Sequence, residues 1–442
     1  MQRSNLFFLL GSCLVLVLFI QSCATIGPKK LSRNIHKKIA ASEIFDQYFL
    51  GFYLYDLSTK EVLYQKNADR YFTPASNTKL FTFYAGLKIL GDSVPALKYI
   101  VKNDSLIFWG TGDPSLLHPD TLTSPTLTFL KNRSEKLYYS DKNYAGTKFG
   151  PGWAWDDYND SYSAEITTLP IFGNLVRFDA SGNKELPKTF PHYFEDSLQV
   201  FTSYTTNGNL IQREVDGNQF TYFVLKDSIE KQLKIPFKYQ PEIITSFLAD
   251  TLEKNISYAS LPFDTLSHTL YGGSMDSLFK KMLHVSDNFI AEQILMMCSQ
   301  QTLDTMDLKG IIKFVKENYL ADLPDEPIWV DGSGLSRYNL FTPRTIAGLL
   351  EKIYQEMPQP RLFELMPHGG DQGTLENWYL AGKPYVFAKT GTLRHNHCLS
   401  GYLLTDSGKT LIFSFMHNNY PFSSSITKPE METILRYVSE HY

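Results

Sequence analysis

Cysteine is scarce in this chain: four residues in 442. Cys13 and Cys23 fall in the N-terminal apolar segment, leaving Cys298 and Cys398 for the folded part, which excludes a disulfide scaffold. Both sit in apolar stretches that read as buried thiols, with a single bridge left open. Basic excess is missing too. The formal charge is −4, which argues against a nucleic-acid partner. Metal-ligand spacings are absent: there is no C-x-x-C, no H-E-x-x-H and no acidic calcium loop. His395 and His397 flank Asn396, a pattern that more often marks a strand end than a ligand pair. No metal or organic cofactor is therefore expected. Disorder is excluded by 43% hydrophobic and 20% charged residues. The 27 Tyr and 31 Phe, together with frequent turn residues, point to much β-structure.

Long apolar runs are limited to one, Leu6 to Ile20, which is short for a bilayer span. It follows Arg3 and ends at Ile20-Gln21-Ser22-Cys23. This resembles a bacterial lipoprotein signal, in which residues 1–22 are removed and Cys23 takes lipid; an uncleaved signal anchor is the alternative. The resemblance implies a chain tethered at the periplasmic face of a bacterial membrane, the outer membrane by preference. Residues 23–43 then read as a tether or a fringe helix. Lys29, Lys30, Arg33, Lys37 and Lys38 make it basic, suited either to an anionic membrane surface or to plain solvation.

Globular structure is expected from about Ile44, with a hairpin over Tyr48–Leu57 and Val62–Lys66. A helix apolar nearly all round is expected from Ser76 to Gly91. From Ser93 to Asp264 short strand-like segments alternate with Asn/Asp/Gly turns. They include 105–109, 137–140, 175–178, 198–204 and 220–226. This reads as a β-rich lobe, residues 93–264, inserted into a domain made of 44–92 and 265–442. Helical patterns return at Met275–His284, Asn288–Ser299, Asp307–Tyr319 and Pro343–Gln355. Strands follow at Tyr385–Leu393, Leu399–Thr405 and Lys409–His417. A closing helix is expected from Pro429 to Glu440, with Thr427 and Glu430 spaced as a capping box.

Three short motifs occur in order: Ser76-Asn77-Thr78-Lys79, Ser286-Asp287-Asn288 and Lys389-Thr390-Gly391. S-x-x-K alone is weak, since chance supplies roughly one or two per chain of this length. Only Ser76 among its occurrences ends a loop and opens a buried helix. The ordered triple is far more specific and is the signature of penicillin-binding proteins and class A β-lactamases. Its chemistry is readable. Residues three apart share a helix face, so Lys79 can set its amine beside the Ser76 hydroxyl. The hydroxyl needs a base, and the amine must be neutral to serve; burial and a second cation, Lys389, would both lower its pKa. The N–H groups of Ser76 and Thr392 could hold an oxyanion. Ser286 could relay a proton between Lys79 and a leaving amine. Asn288 could bond a substrate amide, and Lys389 and Thr390 a substrate carboxylate. Gly391 would leave the strand edge clear for an extended peptide. A plain helix cap at Ser76 with a solvated Lys79 is the bland reading of the first motif by itself.

With these motifs the chain resembles the type-4 penicillin-binding proteins, the class C low-molecular-mass D-alanyl-D-alanine carboxypeptidase/endopeptidases. The likeness extends over about Tyr48 to His417. Gly110–Pro114 resembles the GxGDP turn, Gly152–Asp157 the GWxWxD segment, and Asp331–Ser336 the DGSGLS loop. Gly373-Thr374-Leu375 and Lys389–Leu393 followed by Leu399–Tyr402 match as well. The wide gap between Ser76 and Ser286 suits this family better than the class A β-lactamases. The resemblance implies an α/β, β-lactamase/transpeptidase-like domain (an antiparallel sheet flanked by helices) carrying an inserted β-rich lobe. It implies acylation of Ser76, with Lys79 and Ser286 catalytic, by D-Ala-terminated peptidoglycan stem peptides or crosslinks and by β-lactams. It also implies that Asp157 and Tyr162 help bind a diaminopimelate side chain; otherwise Trp153 and Trp155 pack a core and Asp157 caps a turn. A β-lactamase and a catalytically poor penicillin-binding sensor are the competing functions.

Overall fold

The computed structural model describes residues 25–442 apart from 120–124, 181–185, 202–209, 224–230 and 304. Residues 1–22 and Cys23 lie outside the described residues, as do the far ends of the strands expected over 198–204 and 220–226. Among the described residues no helix is long and apolar enough to cross a membrane.

A five-stranded antiparallel sheet organises the molecule. Its order is Val386–Leu393, Asn396–Leu404, Thr410–Asn418, Phe49–Asp56, Glu61–Lys66, so both ends of the chain build it. The seam is the pairing of Phe49 with Asn418 through Asp56 with Leu411. These strands are buried along almost their whole length, as expected of a sheet covered on both faces. One face packs Leu80, Phe81, Ile294, Phe341 and Leu350 of the helical layer. The other packs Ile434, Leu435 and Val438 of the closing helix.

That second face also receives a helix the sequence reading takes for a tether. Pro28–Ala41 is α-helical, and Leu31, Ile35 and Ile39 are fully or almost fully buried against Phe52, Leu63 and the closing helix. The correction has a simple cause. Three apolar residues spaced four apart form one stripe, and a stripe that narrow is hard to see among basic neighbours.

The insert is β-rich as expected, but its boundary moves. Strand His268–Ser274 pairs with Ser93–Lys102 and closes a second five-stranded sheet. The insert therefore ends at Ser274, next to the Met275–His284 helix, rather than at 264. It also contains a helix, Pro241–Leu252, that was not anticipated. The closing helix is longer than expected, Ser424–His441, with Pro429 inside its first turns. Ser423 caps it, accepting from the Ser425 N–H, so the Thr427/Glu430 capping box is not formed. Thr427 is instead buried beside His417. Cys298 and Cys398 are free and buried.

Candidate active site

The expected long helix from Ser76 divides in two. Ala75–Thr78 is a 3-10 turn, and the α-helix proper runs from Lys79 to Ile89. Ser76 is half-buried on the turn, while Lys79 at the helix start is completely buried. The Lys79 amine lies 2.9 Å from Ser76 Oγ. Its other contacts are Asn288 Oδ1 at 2.7 Å and the Ser333 carbonyl at 2.8 Å. Those two oxygens can only accept. A hydroxyl can both donate and accept. A neutral Lys79 amine therefore keeps two N–H bonds and turns its lone pair to the Ser76 O–H. Burial lowers its pKa to about 8, against the pull of Asp331, Asp287 and Glu292.

Two further carboxylates position this amine. Glu292, fully buried on the Asn288–Thr302 helix, accepts the N–H groups of Gly332 at 2.9 Å and Ser333 at 2.8 Å. Asp331 accepts from the Gly334 and Ser336 N–H groups, from Asn339 Nδ2 and from Trp153 Nε1. Together they fold the Asp331–Ser336 loop so that the Ser333 carbonyl meets Lys79. Burial and the nearby Asp331 raise the Glu292 pKa. A side chain on Gly334 would come within 1.9 Å of the Ala75 carbonyl, and its φ is +83°. The loop thus leans directly on the Ala75–Thr78 turn. Glu292 was missed in the sequence. Its signal is a lone acid inside the apolar run Phe289 to Met297.

Lys389 and Ser286 form a second pair. Lys389 is fully buried, and its amine donates to Ser286 Oγ at 2.9 Å and to the Thr390 carbonyl at 2.8 Å. Burial and the nearby Lys79 hold its pKa well below the ordinary lysine value. Two expectations change here. Ser286 bonds to Lys389 rather than to Lys79. The shift at Lys79 comes from burial, and it is Lys389, with no carboxylate against it, that yields to the other amine. Ser286 has a left-handed backbone, φ +60°, in the turn between two helices.

Strand Val386–Leu393 is a sheet edge. Asn77 Nδ2 donates to the Lys389 carbonyl at 2.9 Å, tying strand to turn. A Cβ at Gly391 would approach the Pro74 carbonyl to 2.5 Å and Asn77 N to 2.9 Å. The packing of the Ala75–Thr78 turn on the strand thus requires the glycine. Thr390 is buried, and Thr392 is exposed with its Oγ1 2.8 Å from His397 Nδ1. His397 lies in the next strand, whereas His395 sits in the turn and pairs with the Tyr420 carbonyl at 2.9 Å. Among the described residues no cluster of three or more His, Cys, Asp or Glu is placed to hold a metal ion.

Ser76, Asn288 and Thr392 open onto a cleft of about 800 Å³. Asp157 and Tyr162 line the same cleft. The Tyr162 hydroxyl, with one proton to donate, lies 3.0 Å from Asp157 Oδ1 and 3.1 Å from Asp160 Oδ2. Burial raises the Asp157 pKa despite that bond. The Asn288 amide donates to the Tyr162 carbonyl at 3.2 Å, linking the two groups. Arg337, Arg394 and Tyr420 complete the walls and were not singled out from sequence. Asp113 of the Gly110–Pro114 turn is no part of the cleft. It is buried under Ser115, bonding the Ser115 N–H and hydroxyl.

This geometry has counterparts. The model of the D-Ala-D-Ala carboxypeptidase 3 (S13) family matches residues 31–440. The D-alanyl-D-alanine carboxypeptidase DacB of Haemophilus influenzae is 23% identical over 441 residues, covering 89% of this chain and 90% of its own. The crystal structure of penicillin binding protein 4 from the same organism aligns with a TM-score of 0.73 at 21% identity, covering 92% of this chain and 98% of that one. A second structure of that protein, complexed with a β-lactam, aligns with a TM-score of 0.65 at 20% identity and the same coverage.

Proposed function

The chain belongs to the D-Ala-D-Ala carboxypeptidase 3 (S13) family, and from that membership we propose a serine D,D-carboxypeptidase/endopeptidase acting on D-Ala-terminated peptidoglycan stem peptides or their crosslinks. Ser76 Oγ passes its proton to the neutral Lys79 amine and attacks the carbonyl of the penultimate D-Ala. The N–H groups of Ser76 and Thr392 receive the developing oxyanion. As the C–N bond breaks, the departing amine takes the proton of the Ser286 hydroxyl, which is refilled with the proton that Lys79 took from Ser76, so that Lys79 is neutral again. Lys389 with Thr390 attracts the terminal carboxylate. Water then gives a proton to the neutral Lys79 amine as its oxygen takes the acyl group from Ser76, and Lys79 returns that proton to the serine oxygen. A β-lactam, whose ring amide mimics the scissile bond, enters the same acylation.

The observation that carries this reading is the 2.9 Å contact between Ser76 Oγ and a Lys79 amine that is wholly buried. Asp157, beside the cleft, is proposed to take the ammonium of a diaminopimelate side chain. The segment preceding the fold supports, by its sequence alone, a lipid on Cys23 and a place at the periplasmic face of a bacterial membrane.

The test uses fluorescent penicillin and a D-Ala-terminated pentapeptide. Native protein should form a stable adduct that peptide mapping locates on Ser76, and should release D-Ala. Labelling of Ser76→Ala would remove the nucleophile assignment. Rapid loss of label would indicate a β-lactamase, and stable label without D-Ala release a sensor.

A further inference from the structure

One stretch of chain, Gly152 to Tyr158, is a partition between two cavities. Gly152, Ala154, Asp156 and Asp157 line the catalytic cleft. Trp153, Trp155 and Tyr158, with Ala154 shared, line a second cavity of about 480 Å³ on the other side. That volume is within the ~300–1,000 Å³ of small-molecule sites. Trp153 is fixed by its bond to Asp331. Trp155 is not core: 79% of its surface is exposed, at the start of a 3-10 turn running to Asn159. The alternative in which both tryptophans pack a core therefore fails for Trp155. An indole so exposed beside an active cleft is an unspent contact surface.

The facing wall says what chemistry suits it. Arg213 is buried, and its guanidinium is occupied by the carbonyls of Pro236, Glu214 and Gly217 while lying 5.2 Å from the Tyr158 ring. Lys148 is paired with Glu165 at 3.1 Å, and Lys238 with Asp216 at 3.5 Å. The charges lining the cavity are thus answered from within the protein. A stem peptide with free carboxylates and ammonium groups gains little there; Asp157 and Arg337 in the neighbouring cleft suit it better. A neutral ligand with a flat C–H face and peripheral polar groups fits.

We infer that this cavity is a saccharide subsite that holds an N-acetylated amino sugar of the glycan strand whose stem peptide occupies the cleft. Its apolar ring face lies on Trp155. This rests on the peptidoglycan reading above and adds to it a preference for peptide still joined to sugar. The two sites meet at Ala154, which lines both.

The test compares kcat/KM for a free pentapeptide with that for the same peptide attached to an N-acetylglucosaminyl–N-acetylmuramyl disaccharide, using the full chain. The native protein should favour the disaccharide form, and Trp155→Ala should cut that preference about tenfold, the scale of one lost aromatic contact. Trp155→Phe should restore most of it. Saturation-transfer NMR with the peptide-free disaccharide should show binding to native protein and none to Trp155→Ala, a readout that stands even if no peptide is cleaved. Equal losses on both substrates, or no loss on either, overturn the inference, as does disaccharide binding unaffected by Trp155→Ala. Failure to release D-Ala from any peptide would refute the proposed activity and leave the NMR result to decide the saccharide site.

Discussion

The state of the Lys79 amine can be measured through the pH dependence of acylation. With a pKa of about 8, the amine is neutral in about one molecule in a hundred at pH 6 and about nine in ten at pH 9. If Lys79 takes the Ser76 proton, the second-order rate of penicillin labelling should rise about ninetyfold across that range and level off above it. An ordinary lysine would instead give about a thousandfold rise, still climbing tenfold per pH unit at 9. Stopped-flow labelling at six or more pH values, extrapolated to zero salt, decides between them. A rise that continues past pH 9.5 would mean that burial does not depress this amine. A flat profile from pH 6 would mean that it is never charged in the working range. Either result refutes a Lys79 amine that titrates near 8. The same shift has a stability signature. The folded pKa is below the unfolded one, so the contribution is fully present above pH 10.5 and is lost as pH falls through about 8. Relative to Lys79→Met, whose unpaired acceptors cost the same at every pH, the native protein should lose about 3 kcal/mol between those limits in denaturant titrations.

Further outcomes are expected. Lys389→Ala leaves Ser286 Oγ and the Thr390 carbonyl without their shared donor, and should lower D-Ala release by roughly tenfold to a hundredfold, the worth of one charge-assisted bond; unchanged turnover would exclude Lys389 as the carboxylate anchor. Asp157→Ala should raise KM about tenfold for pentapeptides with a free amine on the third residue, with little change in penicillin labelling; equal effects on both would point to a collapsed cleft wall. Ile35→Ala, in the helix at first read as a tether, should cost about 2–4 kcal/mol in chemical denaturation, whereas a true tether would give no change.

Much of the site was legible because its chemistry needs particular residue types at fixed spacing. Ser76 and Lys79 had to share a helical face, and they do. The helix Met275–His284 was read to the residue, since its apolar stripe is wide and its neighbours are turn formers. What was not legible depends on tertiary contact. Nothing local says that Ser286 adopts a left-handed backbone and bonds to Lys389 rather than to Lys79. Glu292 acts through two backbone N–H groups some forty residues away, a relation that no window of sequence contains. The packing that requires Gly391 was not legible, because the turn that crowds it lies more than 300 residues earlier. That the helix Pro28–Ala41 packs into the core was missed because a basic surface hid a three-residue stripe.

The seam of the main sheet joins Phe49 to Asn418. During synthesis the first strand emerges early and waits for a partner made almost last. Closing so large a loop is entropically only modestly dearer than closing a short one, about 0.6 kcal/mol per doubling, but it is slow. The inserted lobe, whose strands all lie between 93 and 274, has its partners to hand much sooner. Ser76 and Lys389 therefore meet only when the carboxyl-terminal strands dock. A chain that stops before those strands keeps an unpaired strand edge and lacks Lys389, so the site exists only in the full-length fold.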